Sequence, residues 1–446
     1  MIYYNILVIL IYFIGLYFIL IRWQDLFSVK SFLYIISVTW IFGALFCENG
    51  FFAWPDDYVE DPHNYSSLIL LTTVFLIYSV AKVVSDTSEK RYMIAYKRQL
   101  KFSNQGITLV SVGILLFSFL FTLYILKSGA PFFADNPDIA RTLFWGEKVS
   151  PIFKRIIVLF LPAYYVFLYL FRKKRIHNYL FILNILSYLV LCILLSQKSN
   201  ILLIVFPLYF VYFYKNRKVI NIKRNIIVGF TLGMTLFLVM SYTAYHNMTD
   251  ELLVHGKKME KSFTTGMLVF GSRVTLGQGE PYWRIYNDHI INSEKTLGLK
   301  GVENFSQTMI NSKVFGVSLS KEESFEYWIT ERLTADWFAE TRNLVVTFVG
   351  EGIIYFGLYG ILLFTFLLIS FIVFFDFILK YTIDRMLYTW FIVWLTIFNY
   401  KITAWMQMGS FFNVFRIMDY AYIILLLISL FILNLIVKTK IYKENI

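Results

Sequence analysis

The chain reads as an all-α polytopic membrane protein with about eleven transmembrane helices. Three observations predict this. Of its 446 residues, 58% are hydrophobic and 16% charged, against roughly 45–50% and 25% in soluble domains. The apolar residues gather into runs of about twenty, the length at which a helix crosses the hydrocarbon core. Lys and Arg concentrate in alternate connections between those runs, the asymmetry that marks cytoplasmic loops. This pattern excludes a soluble enzyme, a disordered chain and a secreted disulfide scaffold. Cys47 and Cys192 lie inside apolar runs and offer no redox or zinc framework.

In chain order the runs are roughly 2–21, 31–47, 67–84, 106–126, 155–171, 178–195, 199–214, 225–244, 352–375, 386–404 and 419–437. The first has no basic leader and no small-residue cleavage site, so it reads as a retained span and not a signal peptide. The run 199–214 is short and follows a tight turn at Ser196–Ser199, so a tilted or broken helix is expected there. Alternate connections and the tail hold 22 of the 41 basic residues against six of the 29 acidic ones. The connection Glu48–Ser67 instead holds five acids (Glu48, Asp56, Asp57, Glu60, Asp61) and no base. This predicts an outside N-terminus and a cytoplasmic C-terminus. Sorted by side, the net +12 becomes +16 on the cytoplasmic face and −4 outside. It is a topology signal facing anionic lipid and gives no support for nucleic-acid binding.

The domains expected are an N-terminal bundle of about eight spans (1–245), a large periplasmic loop between helices 8 and 9 (246–345) and about three C-terminal spans (346–446). Loops longer than ~15 residues are usually functional or disordered. The big one carries Trp283, Trp328 and Trp337, so it is expected to fold, and any chemistry belongs on the outer face.

Three segments carry candidate chemistry. In Ser128–Gly–Ala–Pro–Phe–Phe–Ala–Asp–Asn–Pro–Asp–Ile–Ala–Arg141, glycine and prolines end a span and Arg141 follows. An arginine there can take a phosphate in a bidentate grip, or can snorkel and pair with Asp138. Between Gly271 and His289 lie Arg273, Gln278, Trp283, Arg284, Asp288 and His289. Aromatic faces stack on sugars, Gln and Asp bind hydroxyls, and arginines neutralise phosphate; the bland alternative is a solvated amphipathic helix. Lastly, Arg342 and Asn343 precede Glu351, which stands at the start of a span. A carboxylate at that boundary is costly and usually has a job or a partner, the partner here being Arg342 or Lys401. Lys198 adds a further positive charge near the same surface. No HExxH, Walker A or dinucleotide fingerprint is found, so neither ATP nor a nucleotide sugar is expected as the fuel.

Several of these residues together resemble a family. Gly129–Ala–Pro–Phe–Phe with Arg141, Ser196–Gln–Lys–Ser199, Arg273 with Gln278 and Trp283, and Thr341-x-Asn343 with Glu351 before Gly357-x-x-Gly360 are similar to Wzy-type bacterial O-antigen and capsule polymerases. The likeness of plan covers nearly the whole chain, although Lys198 stands where an arginine is expected. The resemblance implies a glycosyltransferase-C-like enzyme of the bacterial inner membrane that works at the periplasmic face. It would join undecaprenyl-diphosphate-linked oligosaccharide repeat units, with undecaprenyl diphosphate as leaving group. Arg141, Arg273, Arg284, Arg342 and Lys198 would hold the diphosphate, and Gln278, Trp283, Asp288 and Asn343 the glycan. Glu351 or His289 would take the acceptor proton. No metal or other cofactor is implied, and a chain-length regulator and a flippase of the same pathway are the implied partners. Two alternatives stay open. One is a different polyprenyl-linked glycosyltransferase or ligase, in a metal-dependent form using Asp56–Asp57 and Glu60–Asp61. The other is a lipid-linked oligosaccharide transporter, which usually shows repeated halves and charges buried mid-span.

Overall fold

The computed structural model describes residues 2–22, 29–50, 62–92, 104–134, 140, 141, 143–172, 174–196, 251–254, 257–303, 346–384 and 417–437, with scattered positions in 204–245 and 392–397. The chain forms two compact units. Unit 1 comprises 1–93, 218–377 and 401–417, and unit 2 comprises 94–217, 378–400 and 418–446.

Unit 1 begins with α1 (Ile2–Tyr17), α2 (Val29–Ile36), α3 (Val38–Glu48) and α4 (Ser66–Tyr92). A β-hairpin, β1 (Glu251–Val254) with antiparallel β2 (Lys257–Glu260), precedes α9 (Phe263–Tyr286). Short α10 (Phe348–Phe356) leads into α11 (Leu358–Asp384). Unit 2 holds α5 (Asn104–Ser128), α6 (Pro151–Arg155), α7 (Leu161–Phe171), α8 (Arg175–Leu194) and most of α12 (Ile417–Val437).

Among the described residues seven helical stretches are long and apolar enough to cross a membrane: Ile2–Ile21, Lys30–Glu48, Ser66–Ser85, Asn104–Phe133, Ile152–Phe171, Arg175–Leu194 and Leu358–Ile378. They match seven of the runs read from sequence. Tyr420–Leu433 is a shorter apolar stretch in an eighth. The runs 199–214, 225–244 and 386–404 lie largely outside the described residues. The fold is therefore helical and of polytopic membrane type, with the hairpin as its departure from all-α.

The spans expose apolar side chains, as lipid-facing helices do. Phe119 and Leu120 of α5 are each 56% exposed, tolerable only where the surrounding medium is itself apolar. Between helices the packing is close and polar groups are matched. In unit 1 the Tyr12 and Tyr34 rings stack 5.2 Å apart and each hydroxyl donates to a backbone carbonyl on the other's helix. In unit 2 Asn184 of α8 donates to the Ser111 carbonyl of α5 at 3.0 Å. Both cysteines are free and buried.

One ionic contact fixes a level in unit 1. Lys30 at the start of α2 meets Asp376 of α11 at 3.1 Å, with both side chains almost wholly buried. From Lys30 to Glu48, and from Leu358 to Asp376, the chain rises about 27 Å at 1.5 Å per residue, close to the ~30 Å of a hydrocarbon core. Unit 1 thus has a Lys30 end and a Glu48 end about one membrane thickness apart.

The run 352–375, expected as one span, is broken. Gly357 takes φ +60° and ψ −137°, a region open essentially to glycine alone. The chain folds sharply there, and Gly352 and Gly360 meet backbone to backbone with no room for a Cβ on either. The span proper starts at Leu358, and Glu351 belongs to the separate helix α10.

Candidate functional site

The Glu48 end of unit 1 gathers most of its polar chemistry. Glu48 closes α3 and is fully buried. Its Oε1 accepts from Ser66 Oγ at 3.0 Å and from the Ser67 N–H at 2.8 Å, and its Oε2 accepts from Ser67 Oγ at 2.7 Å. Ser66 and Ser67 open α4, so the carboxylate caps a helix N-terminus, where orphan N–H groups and the helix dipole favour negative charge. The Tyr4 hydroxyl shares Ser67 Oγ at 2.8 Å. Asn64 accepts from the Ser66 N–H and donates to the Trp283 carbonyl.

Helix α9 runs alongside α3 in the same direction. Gly279 lies against Gly43 and Ala44, where an added Cβ would fall 2.4 Å from the Ala44 nitrogen and the Gly43 carbonyl carbon. A turn later the Tyr282 hydroxyl donates to the Ser66 carbonyl at 3.2 Å, and the Trp283 indole donates to the Pro62 carbonyl at 3.0 Å. Residues before Gly279 therefore run back along the apolar length of α3. Arg273, six positions earlier, lies about 9 Å further from the Glu48 end at 1.5 Å per residue. This part of the expected periplasmic loop is packed into the helical body of unit 1.

The site residues anticipated from sequence fall into distinct environments. Arg284 uses Nε and Nη2 to donate to Glu280 Oε1, at 3.1 and 2.7 Å, one turn apart on α9. Glu280 is fully buried, so the guanidinium neutralises a carboxylate that would otherwise be strongly disfavoured there. Trp283 is 2% exposed; its ring is packing and offers no open face for a sugar. Asp288 and His289 sit in a wide helical turn, Asn287–Ile291, that closes α9. The Asp288 carbonyl accepts from the Glu294 N–H, and the buried His289 places Nδ1 3.3 Å from the Glu294 carbonyl. Burial, and after it the Glu48 charge, raise the Tyr286 phenol above its ordinary pKa and keep it neutral.

Glu351 is fully buried in the first turn of α10, whose N-cap Thr347 accepts from the Gly350 N–H at 3.3 Å. The Cβ position of Gly350 is 3.7 Å from the Tyr282 ring, so α10 packs on the α9 turn that also carries Glu280. Three buried carboxylates, Glu48, Glu280 and Glu351, thus belong to helices that meet around Tyr282. Among the described residues no three His, Cys, Asp or Glu side chains group as a metal site requires.

Arg141 belongs to unit 2, where its Nη1 donates to the Ser196 carbonyl at 2.9 Å. Ser196 has φ +52°, so the tight turn expected at Ser196–Ser199 is real at its first residue and Arg141 is its clasp. Arg273 and Gln278 lie on α9, and the placement stops at their backbone. Arg342, Asn343 and Lys198 lie outside the described residues, as do Asp56, Asp57, Glu60 and Asp61.

No family model, curated protein or solved structure matches the chain.

What the Glu48 end offers is chemical: buried carboxylates able to hold or accept a proton, beside a helix bearing cations at membrane depth. Sequence reading missed Glu280 and the capping role of Glu48. Glu280 had a signal, an acid four residues before an arginine on a helix. Glu48 was counted among loop acids because nothing local shows which end of a connection folds inward.

Proposed function

We propose that this protein is a membrane glycosyltransferase that polymerises lipid-linked oligosaccharides at the outer face of a bacterial inner membrane. The carrying observation is α9. A helix bearing Arg273, Gln278, Glu280 and Arg284 is packed along a membrane-length helix and ends among buried carboxylates. Charged groups at membrane depth are expensive and mark functional paths. A polar helix there suits a substrate with a charged diphosphate on a lipid tail and a glycan outside. The likeness to Wzy-type polymerases supports the same reading.

In the reaction the acceptor hydroxyl oxygen bonds to the donor's anomeric carbon as the bond from that carbon to the diphosphate oxygen breaks. The bonding pair leaves with undecaprenyl diphosphate, and the acceptor proton passes to a carboxylate. Positive charge preorganised near the departing diphosphate lowers the barrier. We assign that work to Arg273 and Arg141, with Arg342 and Lys198. Arg284 is committed to Glu280 and takes a structural part. Glu351 is the proposed base, in preference to the anchored His289.

Proteoliposomes holding the protein and polyprenyl-diphosphate-linked repeat units test the reading. A ladder of longer glycans is expected. Arg273→Ala and Glu351→Gln should each cut its rate by at least about 100-fold, the lower range for loss of a transition-state charge or a general base. Relocation of substrate across the bilayer without elongation would instead indicate a transporter, and full activity in both variants would remove the site assignment.

A further inference from the structure

We infer that unit 2 carries a groove for the polyprenyl chain of a lipid phosphate, with the phosphate seated at Lys148; this rests on the polymerase reading above. Phe117, Leu120, Phe121 and Tyr124 form one stripe of α5 and, with Phe153 of α6, line an apolar cavity of about 470 Å³. That is within the range of small-molecule sites. Three of the rings make a flat wall. Phe117 and Phe121 are 6.2 Å apart with planes 5° from parallel, and Phe153 lies 6.4 and 6.3 Å from them at 6° and 11°.

The rim has the opposite character. The Tyr124 hydroxyl donates to the Lys148 carbonyl at 2.6 Å and holds the backbone of that residue at the mouth. The exposed Lys148 ammonium donates to the Ser128 carbonyl and sits over Gly129, 3.9 Å from where a Cβ would be. Gly129 has φ +87°, which gives the Gly129–Ala–Pro turn a role: it ends α5 and leaves room for the cation. An ammonium has three donors, so two remain to receive an anion. Nearby, Lys154 lies over the Trp145 ring at 5.6 Å, an aromatic–cation pair of the kind found at headgroup level. The groove therefore runs from an apolar depth beside a membrane-length helix to a cation at its end. The occupant it complements is an amphiphile with a long apolar chain and a phosphate head. The protein's proposed donor is one.

The test uses the full chain in nanodiscs with a polyprenyl monophosphate carrying a diazirine on its isoprenoid tail. Photolabel should map to 117–124 and 149–153. Excess polyprenyl phosphate should compete for it and phosphatidylglycerol should not. Lys148→Ala should lower labelling about tenfold, the loss of one charge-assisted contact, and Lys148→Arg should restore it. Equal competition by phosphatidylglycerol, label elsewhere, or no effect of Lys148→Ala overturns the inference. Elongation by the wild type without specific label removes the groove and leaves the polymerase. Specific label without elongation removes the polymerase and leaves the groove.

Discussion

The Glu48 cap gives a prediction in which two substitutions at one position must differ. Glu48→Ala removes three accepted hydrogen bonds at a fully buried position. The Ser67 N–H cannot rotate away, and an unpaired buried donor costs ~1–3 kcal/mol. Ser66 Oγ loses its acceptor, whereas Ser67 Oγ keeps Tyr4. With the lost dipole interaction and the hole left behind, the total is about 3–5 kcal/mol. Glu48→Gln preserves the connectivity. Its amide oxygen accepts from Ser67 N–H and Ser66 Oγ, its NH₂ donates to Ser67 Oγ, and that hydroxyl turns its proton to Tyr4. Only the charge assistance goes, about 1–2 kcal/mol. The gap of about 2 kcal/mol is a factor near 30 in the folded-to-unfolded ratio. Reversible unfolding by steric trapping in mild detergent measures it. If Ala and Gln agree within ~0.5 kcal/mol, the carboxylate is not capping α4 as described.

Two further perturbations probe the same unit. Gly279→Ala puts a methyl about 1 Å inside ordinary contact with the Gly43–Ala44 backbone, and backbone cannot yield as a side chain can; stability should fall by about 1–3 kcal/mol despite the better helix propensity of alanine, and a stabilised variant in thermal unfolding would refute the α3–α9 packing. Lys30→Met leaves Asp376 buried without its 3.1 Å counter-ion and should cost about 3–5 kcal/mol, while Lys30→Met with Asp376→Leu should recover most of it; a double variant no better than the single one, by the same detergent unfolding assay, would show that the pair is not the dominant interaction there.

The spans were legible because their signal is compositional. A helix such as Asn104–Ser128 must be apolar on all sides to face lipid, so length and hydropathy alone locate it. The break at Gly357 was not, since four glycines near Glu351 are equally consistent with a straight, closely packed span. Only the positive φ and the Gly352–Gly360 contact distinguish an elbow. The placement of α9 was hidden for a different reason. Its Arg273, Gln278, Glu280 and Arg284 make it too polar for any hydropathy window, so it reads as an aqueous loop. What holds it against α3 is steric, a glycine on a glycine, and such fit depends on residues more than 230 positions apart.

The candidate site illustrates how burial changes the meaning of a charge. By residue type alone, Arg273 and Arg284 were equivalent cations on one helix, each able to bind a diphosphate. Glu280 separates them: it fixes Arg284 with two donors on one oxygen, and pulling that arginine onto a ligand would strand a fully buried carboxylate. The energetic penalty falls on the ligand's binding free energy, so Arg284 makes a poor clamp and a good strut. Glu351 is subject to the converse argument. It too is fully buried, but in the first turn of a short helix that ends at the Gly357 elbow, the dipole of that helix offsets part of the cost of its charge. Of the sequence's two candidate bases, the one placed by a helix terminus is better suited to change protonation state than the imidazole tethered at Glu294.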